Sequence, residues 1–185
     1  MEQILLLKKT FPEHNCLCDT SYFSERLEWN SVPRSFVQIL HVNGNHWARL
    51  TNKFCSSQSK VELYDNLHTY PANDSILEQA AATLKSCYSK KMSIRVINVQ
   101  AQKGIDNCGA LAITMACDLC RHLDPFQCAY DYDQAKLRLD TEQVFIHWSF
   151  HGINFSEPQS SNCKSGRVLK ALDVKLRCVG RLPDL

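Results

Sequence analysis

Cys108 is the residue whose setting most directly invites chemistry. It lies where a polar, glycine-containing loop (KGIDN) meets an apolar run (GALAITMACDLC). A thiol in the first turn of a helix faces the positive end of the macrodipole, which favours the nucleophilic thiolate. Gly109 beside it leaves room for a substrate carbonyl. Taken alone, Cys108 reads more readily as a small core residue like Cys117 or Cys120. A thiolate nucleophile needs a base, and the base needs an orienting group. His46 opens the second strand of an expected hairpin and Asp65 closes the next strand. If those strands pair, both side chains sit at one rim of a sheet, where His46 takes the thiol proton and Asp65 holds the imidazole. His41 and His68 are rivals for the histidine. Gln102, six residues before Cys108, offers a side-chain N–H to an oxyanion, together with the Cys108 backbone N–H. Gln100 is its rival.

These groups depend on the elements that carry them. Gln3–Lys9 reads as a short helix ended by Phe11-Pro12, and residues 12–35 as irregular. Phe36–Val42 and His46–Thr51 are rich in strand formers and flank Asn43-Gly44-Asn45, the strongest short-range hairpin cue. Val61–Tyr64 is a third strand. Asn73-Asp74-Ser75 offers an N-cap to a helix over Ile76–Cys87, and Ile94–Val99 is a fourth strand. Cys108–Arg121 is apolar nearly all round and is expected to be a buried helix stopped by Leu123-Asp124-Pro125. Gln134–Phe145 is a further helix. Tyr130–Asp133 reads as a solvated turn and Lys164–Arg181 as a solvated or weakly basic segment. The order gives an α+β chain with a small, mostly antiparallel sheet flanked by helices.

Composition narrows the function classes. With 185 residues, 44% hydrophobic and 22% charged, the chain is long enough to bury a core without staples. A net charge of +2 gives no electrostatic case for nucleic acid across the surface. No stretch approaches bilayer-spanning length, and Ile4–Leu7 is too short for a secretory h-region. A reducing cytoplasm or nucleus is therefore expected, with the ten cysteines as free, mostly buried thiols. Cys16-x-Cys18 and Cys117-x-x-Cys120 with His122 and Cys128 admit a zinc reading by spacing. It is weakened by placing Cys117 and Cys120 on a buried helix, so neither metal nor cofactor is expected.

The order His46-Trp47 … Asp65 … Gln102-x5-Cys108-Gly109 resembles the ubiquitin-like-protein-specific (SUMO/sentrin, Ulp-type) cysteine proteases, most closely their mobile-element-associated members. The stretches that carry the likeness are VQILHVNGNHWARL, VELYDNL and INVQAQKGIDNCGALAIT. Papain-like enzymes that run Cys first, then His and Asn, are excluded by the order. The resemblance implies a papain-like cysteine protease (adenain/Ulp-type) fold, with residues 1–150 as the protease domain and 151–185 as a C-terminal tail of uncertain structure. It implies His46 as base, Asp65 as third member, Gln102 as oxyanion glutamine and Cys108 as nucleophile. Trp47 then walls a narrow slot for a diglycine tail, with Gly109 beside it. The implied partner is a ubiquitin-like modifier such as SUMO, or its conjugates, cut after its C-terminal glycines. Two departures are visible. Asn107 stands where the family has Asp. A Trp-Leu-x-Asp type segment ahead of the first helix is expected to be missing. The alternative is accordingly a weak or inactive remnant that binds a modifier, and acetyl transfer through the same thiol is a third reading.

Overall fold

The computed structural model describes residues 2–14, 35–42, 46–57, 59–67, 76, 80, 91–104, 107–130, 134–147, 149–150, 153, 156–158 and 166–175. The chain enters through helix α1 (Glu2–Thr10), then forms strands β1 (Val37–Val42), β2 (His46–Thr51), β3 (Lys60–Tyr64) and β4 (Lys91–Ile97). Helix α2 (Cys108–Cys120) follows, then a 3-10 turn at Pro125–Gln127, β5 (Cys128–Tyr130), α3 (Gln134–His147), β6 (Ser156–Pro158) and β7 (Val168–Lys175). Of the helix expected over Ile76–Cys87, Ile76 and Ala80 are described; both are helical and buried.

β1 to β4 and β7 form one five-stranded sheet in the order β1-β2-β3-β4-β7, and β5 pairs with β6 in a second, two-stranded sheet. The Asn-Gly hairpin forms as expected, with Val42 opposite His46 and Val37 opposite Thr51. β2 and β3 are antiparallel, β3 and β4 parallel, and β4 and β7 antiparallel. The sheet is therefore mixed, antiparallel in all but one pair, as the α+β reading requires. A parallel pair cannot be closed by a hairpin. Residues 65–90 make that crossover.

α2 is buried along Leu111–Cys120 as well as at Cys108, as its apolar circumference predicts. It packs on β1 and β2, so Leu111, Met115 and Leu119 share a core with Val37, Ile39, Tyr64 and Ile97. Leu6 and Leu7 of α1 and Val144 of α3 join the same cluster.

The segment after residue 150 contributes more order than a solvated tail would. Val168–Lys175, expected as part of a solvated, weakly basic stretch, is the edge strand of the main sheet, and Ser156–Pro158 pairs with β5. Tyr130, expected in a solvated turn, is buried and donates its hydroxyl to Asp118 Oδ2 at 3.0 Å. A three-residue strand and an edge strand draw their stability from partners distant in sequence, so local pattern carries little signal for either.

Candidate active site

The β2–β3 register explains how His46 and Asp65 meet. Arg49 lies opposite Tyr64, so Asp65, one step past the end of β3, reaches the level of Ala48, on the same face as His46. The side chains close that diagonal: His46 Nε2 donates to Asp65 Oδ1 at 2.7 Å. Both groups are buried. The same Asp65 oxygen accepts the Leu67 backbone N–H at 3.0 Å, an Asx turn that fixes the carboxylate. Burial pushes the Asp65 carboxyl up. The His46 hydrogen bond, the Leu67 N–H and the charges of His46 and Arg49 outweigh it and hold the carboxyl below its usual range. With Nε2–H directed at the carboxylate, the imidazole lone pair is on Nδ1.

Cys108 is the first residue of α2 and is 7% exposed. Asn107, the N-cap, is buried, sits near the helical region (φ −99°, ψ −4°) and makes no capping hydrogen bond from its side chain. The histidine strand and the cysteine helix touch through Trp47 and Gly109. A Cβ on Gly109 would lie 3.6 Å from Trp47 Cδ1 and 3.7 Å from Nε1. The other face of Trp47 is occupied by His41, whose ring stacks on the indole with centroids 4.1 Å apart and planes at 21°. His41 is thus a neighbour of the tryptophan, and it is His46 that carries the carboxylate. His68 lies outside the described residues.

The two glutamines separate cleanly. The Gln100 side chain is fully engaged with one backbone unit, donating to Tyr130 O and accepting from Tyr130 N, both at 2.9 Å. Gln102 is tethered by its backbone N–H to Asn66 O at 2.9 Å, next to Asp65. Its side-chain amide donates to Gly104 O at 2.8 Å. Gly104 adopts φ 75°, a conformation only glycine holds without strain, which lets the loop fold back on the Gln102 amide.

Nδ1 of His46, the nitrogen left by Asp65, makes no hydrogen bond among the described residues. It has company. Among the described residues, the buried side-chain N and O atoms without a partner are His46 Nδ1, Arg49 Nε and Nη1, Asp65 Oδ2, Gln102 Oε1, Asn107 Oδ1 and, away from the site, Arg95 Nε. Buried polar groups are ordinarily paired, so these atoms stand apart from the rest of the described interior.

Sequence reasoning passed over Arg49 and Asn66. Arg49 is entirely buried, with its guanidinium Nη2 donating to Asn66 Oδ1 and lying 2.6 Å from Met115 Sδ of α2. Burial lowers its pKa to about 10, against the charges of Asp65, Tyr130, Cys108 and Tyr64, which hold it up. The available signal was one charged side chain inside HWARLT, a strand whose other residues suit a core. β2 is buried on both faces, so alternation did not place Arg49 inside or outside.

Elsewhere, the described cysteines Cys55, Cys108, Cys117, Cys120 and Cys128 are free thiols, all buried except the half-buried Cys55. Burial pushes Cys117 and Cys120 up to about 12. No group of three or more metal-ligating side chains forms among the described residues. Cys16 and Cys18 lie outside them. No described helix is long and apolar enough to cross a membrane.

A mixed sheet with a buried helix that begins at a cysteine and packs on β1 and β2 defines an α+β fold compatible with the papain-like cysteine peptidases. Among solved structures, the chain is similar to a SUMO protease Ulp1 whose catalytic cysteine is oxidized to a sulfenic acid. The TM-score is 0.50 and the identity 14%, over 79% of this chain and 74% of that one. At that identity the likeness is one of fold. No protein-family model matches the sequence, and no curated protein matches it.

Proposed function

We propose that the protein is a thiol-dependent peptidase of the Ulp type, cutting after the C-terminal glycines of a ubiquitin-like modifier such as SUMO. The observation that carries the reading is the buried His46–Asp65 hydrogen bond, placed one residue before the tryptophan that lies against Gly109, the neighbour of Cys108. Cys108 Sγ attacks the glycine carbonyl while His46 Nδ1 takes its proton, and Asp65 stabilises the imidazolium that results. The oxyanion is held by Gln102 and by the backbone N–H groups of the first turn of α2, which Asn107 does not cap with its side chain. His46 returns the proton to the leaving amine, and water then hydrolyses the thioester. The mobile-element-associated affiliation belongs to the same proposal, as does a cytoplasmic or nuclear location.

The Gln102 amide, which donates to Gly104 O, and the unbonded His46 Nδ1 favour a second reading, a modifier-binding domain without turnover. Incubation with SUMO carrying a C-terminal electrophile separates the two. Covalent capture that is lost in Cys108→Ala and strongly slowed in His46→Ala is the expected result. Binding without capture in the wild type overturns the peptidase and leaves the binding domain.

A further inference from the structure

The guanidinium of Arg49 is a costly group to bury. It is fully buried, and among the described residues it has no carboxylate in hydrogen-bond contact and no partner for Nε and Nη1. Removing a cation from water costs several kcal/mol, and an apolar side chain of similar volume generally packs such a position as well or better. Packing therefore gives no reason for an arginine here.

Its contacts give one. Nη2 donates to Asn66 Oδ1 and touches Met115 of α2. Asn66 is itself buried and holds the loop that follows β4 at two points. Its Nδ2 donates to Gln100 O at 2.6 Å, and its carbonyl accepts the Gln102 N–H. Asn66 also directly follows Asp65. We propose that Arg49 is the positioning residue of this site, clamping Asn66 so that the Asp65 turn and the Gln102 loop are held against the nucleophile helix. Arg49 sits on the same strand as His46, so one residue links all four elements that carry the proposed machinery. The role rests on the peptidase reading for its consequence in catalysis, but its mechanical part does not.

Two measurements on the full chain test the clamp. The first is hydrogen exchange followed by mass spectrometry. In Arg49→Met, segments 65–67 and 98–104 should exchange at least about tenfold faster, while 37–42 and 111–120 keep wild-type protection. Unchanged exchange at 98–104, or equal loosening of every strand, overturns the proposal. Should Arg49→Met fail to fold, Arg49→Lys, which keeps the charge without the planar reach of Nη2, must loosen the same two segments. Wild-type exchange in Arg49→Lys would then overturn it. The second measurement is a double-mutant cycle on hydrolysis of a SUMO–aminomethylcoumarin substrate. Arg49→Met should lower kcat about 10- to 100-fold with KM within about threefold, because positioning acts on the transition state. In a Gln102→Ala background the same change should remove no more than about threefold, since the loop it holds has lost its donor. Fully additive losses overturn the route through Gln102. If the wild type hydrolyses no such substrate, the peptidase reading falls, and hydrogen exchange still decides the clamp.

Discussion

At the scale of single residues, the free energy of this site is arranged unusually. Asp65 and His46 satisfy each other, yet each keeps one buried polar atom without a partner, as do Gln102 and Asn107. Each such atom costs on the order of 1–3 kcal/mol. Gly109 shows the same priority from the steric side. Trp47 does not forbid a methyl there, since the contact of 3.6 Å is ordinary. Gly109→Ala should therefore gain helix propensity, raising stability by up to about 1 kcal/mol in urea unfolding. If the space beside the thiol receives a glycine tail, the same variant should raise KM for a SUMO substrate severalfold. A stabilised variant with unchanged KM would remove Gly109 from the substrate slot.

At the scale of elements, α2 is set by both of its ends. Its C-terminus closes with His122 N–H donating to Leu119 O and Leu123 N–H to Asp118 O, a Schellman arrangement. His122 holds φ 62°, the left-handed conformation that favours glycine, and its side chain is exposed. His122→Gly should stabilise the chain by about 0.5–1 kcal/mol, read as a higher urea midpoint. The last carbonyls are held by Lys53, whose ammonium donates to Leu119 O at 2.7 Å, and by His14 Nε2, 2.9 Å from Cys120 O. Burial lowers the His14 pKa. The Cys120 carbonyl opposes this, the Lys53 charge adds to it, Glu13 opposes it and His122 adds to it. A folded-state pKa below the unfolded value of about 6.5 means that the unfolded chain binds the proton more tightly. The stability is present above that value and lost as pH falls through the lowered one. His14→Gln should flatten the wild-type loss of urea stability between about pH 7 and 5. An equal loss in both proteins would assign it to other groups.

At the scale of the whole molecule, one network joins the late strand to the early sheet. Glu62 is fully buried on β3 and receives Arg95 at 2.6 Å and Arg167 at 2.8 Å, and Tyr64 donates to it at 2.9 Å. Arg167, one residue before β7, also pairs with Asp124 and lies over the rings of Phe54 and Phe126, 5.8 and 5.5 Å from their centroids. Burial opposes its charge, but Tyr64, Glu62 and Asp124 raise its pKa above the usual value. The second sheet is tied in the same way, with Ser156 and Tyr130 both donating to Asp118 Oδ2 of α2. Arg167→Met should cost about 2–4 kcal/mol, less than a fully enclosed pair because the side chain is 27% exposed. Denaturant unfolding measures it. A change below about 0.5 kcal/mol would show that β7 is held by its ladder with β4 alone.

The sequence by itself determined what is local. Two strand-forming runs either side of Asn43-Gly44-Asn45 made the β1–β2 pairing legible, because a strand pair with a short connection has few alternative registers. The uninterrupted apolar run after Cys108 determined a buried helix with that cysteine at its start. The order of His46, Asp65, Gln102 and Cys108 in the chain carries the resemblance to a thiol site without any tertiary contact. Contacts between distant segments account for the rest. The tertiary structure bound the Gln100 side chain to Tyr130, a residue that lies beyond α2 in the chain, and the Gln102 side chain to Gly104 O. It set β3 parallel to β4 and recruited Val168–Lys175 to the sheet edge. It also buried Arg49 beneath the site. These outcomes depend on contacts between segments far apart in sequence, where hydrophobic period and turn chemistry are silent and only the pairing of buried polar groups selects the arrangement.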